Sequence, residues 1–267
     1  MDQSKSAATA SENEAKDRVR AQYGAVGDAY VRSTGHASGK DLERMAELAQ
    51  PSRTDRVLDI ATGGGHVARL FAPHVASVVA SDLTPEILEH AAAFFAAQGV
   101  DNVTTQLADA ESLPFADRSF DIVTCRIAPH HFPNPAEFVR EAARVLSPGG
   151  RFILVDSTVP EGLSGEFLNR IEKLRDPSHV RSLTIDEWRA LLKGASFQIE
   201  TIETFPKRHD FADWTARSRM SNADREALEC EMLRASDGIK QALKIDVADG
   251  QVTAFTDDKT LFAATLP

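Results

Sequence analysis

A glycine run, three acids and a pair of histidines are the residues here whose types and spacing suit chemistry. Asp59-Ile60-Ala61-Thr62-Gly63-Gly64-Gly65-His66-Val67-Ala68 follows the apolar pair Val57-Leu58. This order predicts a buried strand breaking into a glycine turn that opens a helix. Glycines there let the backbone approach a ligand and supply positive φ without steric cost. Gly63, Gly65 and Ala68 also fit the dinucleotide fingerprint, so binders of NAD, FAD and S-adenosylmethionine all stay open at this point. Asp82 closes the next apolar run, Val78-Val79-Ala80-Ser81, where a carboxylate can accept from both ribose hydroxyls of an adenosine. Nicotinamide binders use the same acid, so it does not discriminate.

Proton chemistry has its best candidates in Arg126-Ile127-Ala128-Pro129-His130-His131-Phe132. The segment leaves the carboxyl end of a predicted strand, where open α/β sheets place ligands, and histidine titrates near neutral pH. His130 or His131 could serve as base; a loop-capping histidine is the plainer alternative. Arg126 could hold an anionic substrate, reach the cofactor through its carbonyl, or form a structural ion pair. A second constellation, Arg175, His179 and Arg181, sits in a loop with Pro177 before a predicted helix. Its cations suit a carboxylate, phosphate or enolate, with a solvated loop as the alternative.

The elements that must position these groups alternate along the chain. Apolar spacing predicts strands over 57–61, 77–81, 103–107, 120–126 and 151–156, and helices over 66–71, 85–98 and 135–146. That alternation argues for parallel strands covered by helices on both faces. Thr84-Pro85 suits a helix start, and Ser147-Pro148-Gly149-Gly150 a turn into the next strand. Beyond Asp156 the pattern loosens. Residues 159–180 are mixed, 185–193 read as a helix, 197–205 as a strand and 211–233 as a further helix. Residues 252–255 and 261–266, joined through Asp257-Asp258, read as a terminal hairpin or a sheet edge. Residues 1–15 are polar and are expected to fray, 16–50 to form a helical lid segment, and 51–267 the main domain, with substrate-wall inserts at about 158–196 and 206–240.

Composition narrows the partners. The 267 residues carry a formal net charge of −10 and no basic run, which argues against a nucleic-acid surface and for a small-molecule substrate. Two distant cysteines, Cys125 and Cys230, offer no zinc motif and fit a reducing compartment; no metal is expected. With no signal-peptide core and no apolar run of membrane length, a cytoplasmic protein is expected, as monomer or homodimer.

The discriminating segments are Ala108-Asp109-Ala110-Glu111, Ser119-Phe120-Asp121-Ile122-Val123 and Leu146-Ser147-Pro148-Gly149-Gly150. Taken with the glycine turn and Asp82-Leu83-Thr84-Pro85, they resemble the class I S-adenosylmethionine-dependent methyltransferases, in the branch related to ubiquinone/menaquinone-biosynthesis C-methyltransferases. The resemblance covers about 23–156 well and the rest loosely. It implies a doubly wound, mostly parallel, seven-stranded Rossmann-like sheet with an antiparallel last strand, an N-terminal helical lid and a helical insert after the fifth strand. It also implies S-adenosylmethionine as cofactor and S-adenosylhomocysteine as product. Asp59 and the Ala61 to Gly65 backbone would meet the methionine part, Asp82 with Leu83 the ribose, and Asp109 with Ala110 the adenine. The family usually has glycine at Ala61. Tyr23 and Tyr30 are similar to the aromatic lid segment of this branch, and the insert after the fifth strand would form the substrate wall. The expected reaction is methylation of a small organic acceptor, carbon favoured over oxygen or nitrogen. A nicotinamide-dependent oxidoreductase and a non-methylating S-adenosylmethionine binder are the rivals. The first lacks a Tyr-x-x-x-Lys pair after the glycine turn, because Tyr23 and Tyr30 are the only tyrosines.

Overall fold

The computed structural model describes residues 3–24 and 39–267. The strands are β1 (Arg56–Ile60), β2 (Ser77–Asp82), β3 (Val103–Leu107), β4 (Phe120–Arg126), β5 (Leu146–Thr158), β6 (Gln198–Asp210), β7 (Asp246–Ala248) and β8 (Gln251–Thr265). They lie in the order β3-β2-β1-β4-β5-β8-β6, with β7 paired to β8. β1 to β5 run parallel, and β8 is antiparallel to both of its neighbours. The order reverses between β1 and β4, and open sheets of this kind bind ligands outside the carboxyl ends of the strands at such a reversal.

The helices are α1 (Gln3–Gly24), α2 (Lys40–Ala49), α3 (His66–Phe71), α4 (Pro85–Ala97), α5 (Pro135–Val145), α6 (Leu163–Arg175), α7 (Ile185–Gly194), α8 (Phe211–Arg217), α9 (Asn222–Leu233) and α10 (Asp237–Ala242). α5 and α7 cover one face of the sheet through Phe138, Val139, Trp188 and Leu192. α2, α3 and α4 cover the other through Met45, Phe71 and Phe95. Central strands are therefore buried on both sides, which explains their near-continuous apolar runs.

β6 and β8 continue past the end of β5 as a two-stranded arm, pairing Lys207 with Asp257 and His209 with Phe255. Phe167, Ile171, Trp214, Leu228, Met232 and Phe255 form a separate apolar cluster on it. This arm differs from the sequence-based expectation. β8 is one continuous strand, not a hairpin, because Asp257 is bonded side chain to side chain with His209. The turn lies earlier, at Asp249-Gly250, where both residues have positive φ, as a type I′ hairpin turn requires. The mixed stretch contains α6, whose buried stripe is Phe167, Leu168 and Ile171. The single helix expected over 211–233 is two, with Ser221 accepting from Asp224 N–H as the cap of the second.

The tail expected over 1–15 is helical from Gln3. Ala, Glu, Lys and Arg are strong helix formers, and Ala15 is buried. Thr84 precedes α4 but its side chain makes no capping bond.

Candidate active site

Strand β1 delivers Asp59 into the sheet's centre, where it is 1% exposed. It accepts hydrogen bonds from Thr62 Oγ1 at 2.6 Å and Thr124 Oγ1 at 2.8 Å. Burial pushes its pKa up to about 6. Asp59 is thus an internal strut beneath the glycine turn and does not line the cavity above it. Gly65 does not line it either; a Cβ there would meet the Phe95 ring at 2.6 Å, so this glycine serves the packing of α3 on α4. Gly63 has φ +54° and an open space where its Cβ would lie, and it lines the cavity. Ala61 holds φ +54° as well, a left-handed conformation that costs a residue with a Cβ roughly 1–2 kcal/mol. That strain is the physical reason glycine suits this position.

The first cavity lies between this turn and α1. Ala61, Gly63, Asp82, Leu83, Asp109 and Ala110 all contribute to its walls. Asp82 Oδ2 accepts from Gly63 N–H at 3.1 Å and Oδ1 from Thr84 N–H at 3.0 Å. Burial raises its pKa against these bonds. A carboxylate fixed by two amides keeps its remaining lone pairs for a diol. Asp109 Oδ1 accepts from Glu111 N–H, and its Oδ2 is held by Lys16 at 2.7 Å. Lys16 also reaches Glu111 at 2.6 Å, so α1 is clamped onto the adenine end of the expected cofactor site. With α1 so placed the cavity measures about 100 Å³, below the roughly 300–1,000 Å³ of ordinary ligand pockets. The donor and acceptor set fits S-adenosylmethionine, and Lys16 lines the cavity beside Asp109 and Glu111.

A second cavity of about 510 Å³ adjoins the first, and Tyr23, Ile127 and His131 belong to both. Ile127 has φ +54°, an outlier for a β-branched residue that turns the chain sharply after β4. The next residues form a short 3-10 turn over Pro129–His131. There the His130 Nδ1–H donates to Asp156 Oδ1 at 2.6 Å. Asp156, near the end of β5, is fully buried and its Oδ2 has no hydrogen-bond partner among the described residues. This bond fixes the His130 tautomer and leaves Nε2, facing the second cavity, to accept a proton. The His131 Nε2–H donates to the Tyr23 hydroxyl at 2.8 Å, which donates to Asp176 at 3.1 Å. Burial, then the neighbouring His130, pull the His131 pKa down. His179 donates from Nε2 to Asn169 Oδ1 at 3.0 Å. Burial and the two other histidines push its pKa down to about 2, which keeps it neutral and a weaker base than an ordinary histidine.

Of the expected substrate groups, Arg175 lines the second cavity, paired with Glu172 at 3.0 Å and lying 5.0 Å over the Trp214 ring. Arg181 does not line it; its side chain is 54% exposed and paired with Glu187 on the outer surface. Arg126 lines neither cavity, because its Nε binds Asp41 on α2 at 2.7 Å in a nearly buried ion pair. Tyr30 lies outside the described residues. The sequence reading missed Lys16, Asp156 and the arm residues Lys207, His209, Arg217 and Lys259. Lys207 and His209 share one face of a strand by their two-residue spacing, a signal visible only once the strand is known to extend that far.

Among the described residues no group of three or more His, Cys, Asp or Glu is placed to hold a metal ion. None of the described helices is long and apolar enough to cross a membrane.

Residues 58–154 match the methyltransferase domain family. The uncharacterized methyltransferase YcgJ of Bacillus subtilis is 44% identical over 191 residues, covering 71% of this chain and 75% of that protein. The demethylmenaquinone methyltransferase of Clavibacter sepedonicus is 30% identical over 230 residues, covering 84% and 91%. A solved structure from Bacillus halodurans superposes with a TM-score of 0.84 at 43% identity, covering 86% of this chain and all of that one. With the reversal in the sheet, the glycine turn and the acids at the ends of β2 and β3, these likenesses place the chain among the class I S-adenosylmethionine-dependent methyltransferases.

Proposed function

We propose that this enzyme methylates a small organic acceptor seated in the second cavity, with His130 as the base that takes the acceptor's proton. The observation that carries the reading is the His130–Asp156 pair at 2.6 Å, with His130 in the wall of the second cavity beside His131, which lines both cavities. S-Adenosylmethionine, when bound, supplies a methyl already activated by its sulfonium. The protein's own task is then to bind, align and exclude water, and alignment alone can lower a barrier by roughly 7–11 kcal/mol in the best-oriented systems. Asp82 would hold the ribose, Asp109 and the Ala110 backbone the adenine, and the Ala61–Gly63 backbone the methionine part. A proton arriving on His130 Nε2 makes an imidazolium that Asp156 stabilises.

α1 acts as the lid of this site, with Val19 and Tyr23 closing over the junction of the cavities. Carbon is the favoured acceptor atom; oxygen or nitrogen would use the same base. The test is calorimetric binding of S-adenosylhomocysteine and NADH, followed by an acceptor screen read as S-adenosylhomocysteine release. Binding of the sulfur compound with turnover that His130→Gln abolishes supports the reading. Selective NADH binding, or turnover unaffected by His130→Gln, overturns the cofactor or the base respectively.

A further inference from the structure

The β6–β8 arm brings Lys207, Lys259 and, with α8, Arg217 to the wall of the second cavity, although the whole chain carries a net charge of −10. Lys207 and His209 from β6 and Asp257 and Lys259 from β8 share one face of the arm, as their cross-strand register requires. The single acid on this face is already committed. Asp257 Oδ1 accepts from His209 Nε2–H at 2.8 Å, and Oδ2 binds Lys259 at 3.2 Å. Burial works to raise the Asp257 pKa, but Lys259 and His209 together hold it well below the usual carboxylate range. His209 Nδ1 in turn accepts from Arg217 of α8 at 3.5 Å. Lys259 is further bonded to Ser157.

Lys207 is left over. Its side chain makes no hydrogen bond or ion pair with any described residue, and it is half-buried beside Lys259 and Arg217. Burial first, then Lys259, and more weakly Arg217 and Arg126, pull its pKa down against the attraction of Asp257. Arg219 lines the same mouth. A half-buried ammonium facing other cations raises the free energy of the ligand-free protein. Clustered cations in a concave wall are the arrangement that binds an anion by charge-assisted hydrogen bonds.

We infer that Lys207, Arg217 and Lys259 form a subsite for an anionic head group of the methyl acceptor, a phosphoryl or carboxylate group, anchored on the arm with the rest of the acceptor reaching toward His130. This deepens the proposed function and rests on its reading of the second cavity as the acceptor site. The acceptor class is therefore a small acid or phosphate ester, not a neutral molecule. The anion would then serve as a positioning handle held by the arm, while His130 meets the methylated part of the acceptor.

The test uses the full chain and needs no turnover. Pyrophosphate and malonate, as phosphoryl and carboxylate probes, are titrated calorimetrically at low salt, with S-adenosylhomocysteine titrated in parallel. The expected result is saturable binding of at least one probe, weakened tenfold or more by Lys207→Met and by Arg217→Met and unchanged by Lys240→Met on α10. The tighter probe identifies the head group. Lys207→Met should also raise the melting temperature of the ligand-free protein, since it removes an uncompensated charge, and should leave S-adenosylhomocysteine affinity unchanged. Absence of binding by both probes, or binding indifferent to Lys207→Met and Arg217→Met, overturns the subsite while S-adenosylhomocysteine binding still upholds the methyltransferase site. Anion binding without S-adenosylhomocysteine binding has the reverse meaning.

Discussion

The proposed base His130 is held by the bond its Nδ1 makes to Asp156. Asp156→Asn takes away the negative charge behind Nδ1–H and replaces one carboxylate oxygen by an NH2 donor, so the imidazolium loses its stabilisation and the tautomer is no longer fixed. We expect His130→Gln and Asp156→Asn each to lower kcat by roughly 10²–10⁴, the usual worth of a positioned base, with S-adenosylhomocysteine affinity unchanged. Single-turnover assays decide this, and an unaltered kcat in Asp156→Asn would remove Asp156 from the mechanism. Ala61 gives a second residue-scale expectation. Its left-handed backbone should make Ala61→Gly stabilising by about 1 kcal/mol after the added flexibility of the unfolded chain is subtracted. In a domain of this size that is a rise of roughly 2–4 °C in Tm, and a fall on thermal melting would contradict the strain argument. The acids and glycines of the site were legible in the sequence because each follows an apolar run by a fixed step. The roles of Arg126 and Arg181 were not, because an arginine's reach permits several partners and only packing chooses. Asp41 on α2 and Glu187 on α7 are those partners.

At the scale of elements, the lid and the arm behave differently. α1 is held over the cofactor cavity by Lys16 on Asp109 and Glu111 and by Tyr23 on His131. Lys16→Met removes the first clamp, and we expect S-adenosylhomocysteine to associate about fivefold faster, corresponding to ~1 kcal/mol for a partly exposed ion pair. Stopped-flow tryptophan fluorescence can follow it through Trp214; an unchanged or slower rate would mean that α1 is no barrier to entry. The loop after α6 is fixed instead, since Val180 N–H and Arg181 N–H both donate to the His130 carbonyl. Periodicity located β1 to β5 to within a residue or two at most ends; the central strands β1 and β4 read as apolar runs because both faces are buried, whereas the edge strand β3 is largely exposed. Periodicity failed on β8 and α6. Those elements are half-covered by the arm's own small core, so Asp257 and Lys259 interrupt the pattern at the positions that face the second cavity.

For the whole molecule, two buried groups set opposed pH dependences. His179 takes up its proton near pH 6.5 when unfolded but only near 2 when folded, so its contribution to stability falls as the pH drops below 6.5. Asp59 loses its proton near 3.8 when unfolded and near 6 when folded, so its contribution falls as the pH rises from about 4 to 6, by up to ~3 kcal/mol. Urea unfolding across pH 4–7 should therefore show a steeper fall with rising pH in His179→Gln than in the parent, and a lost fall in Asp59→Asn. Identical slopes in all three would show that neither group titrates as its burial dictates. One further consequence comes from β8, whose 15 residues run without a break from the central sheet into the arm. Side chains alternate with a period of two, so deleting one residue near Lys259 would turn Phe255 and Asp257 to the opposite side of the arm. A single deletion would then open the arm's core and dismantle its charge relay together. Drift in acceptor preference along this strand must proceed by substitution or by paired insertions, never by single steps in length.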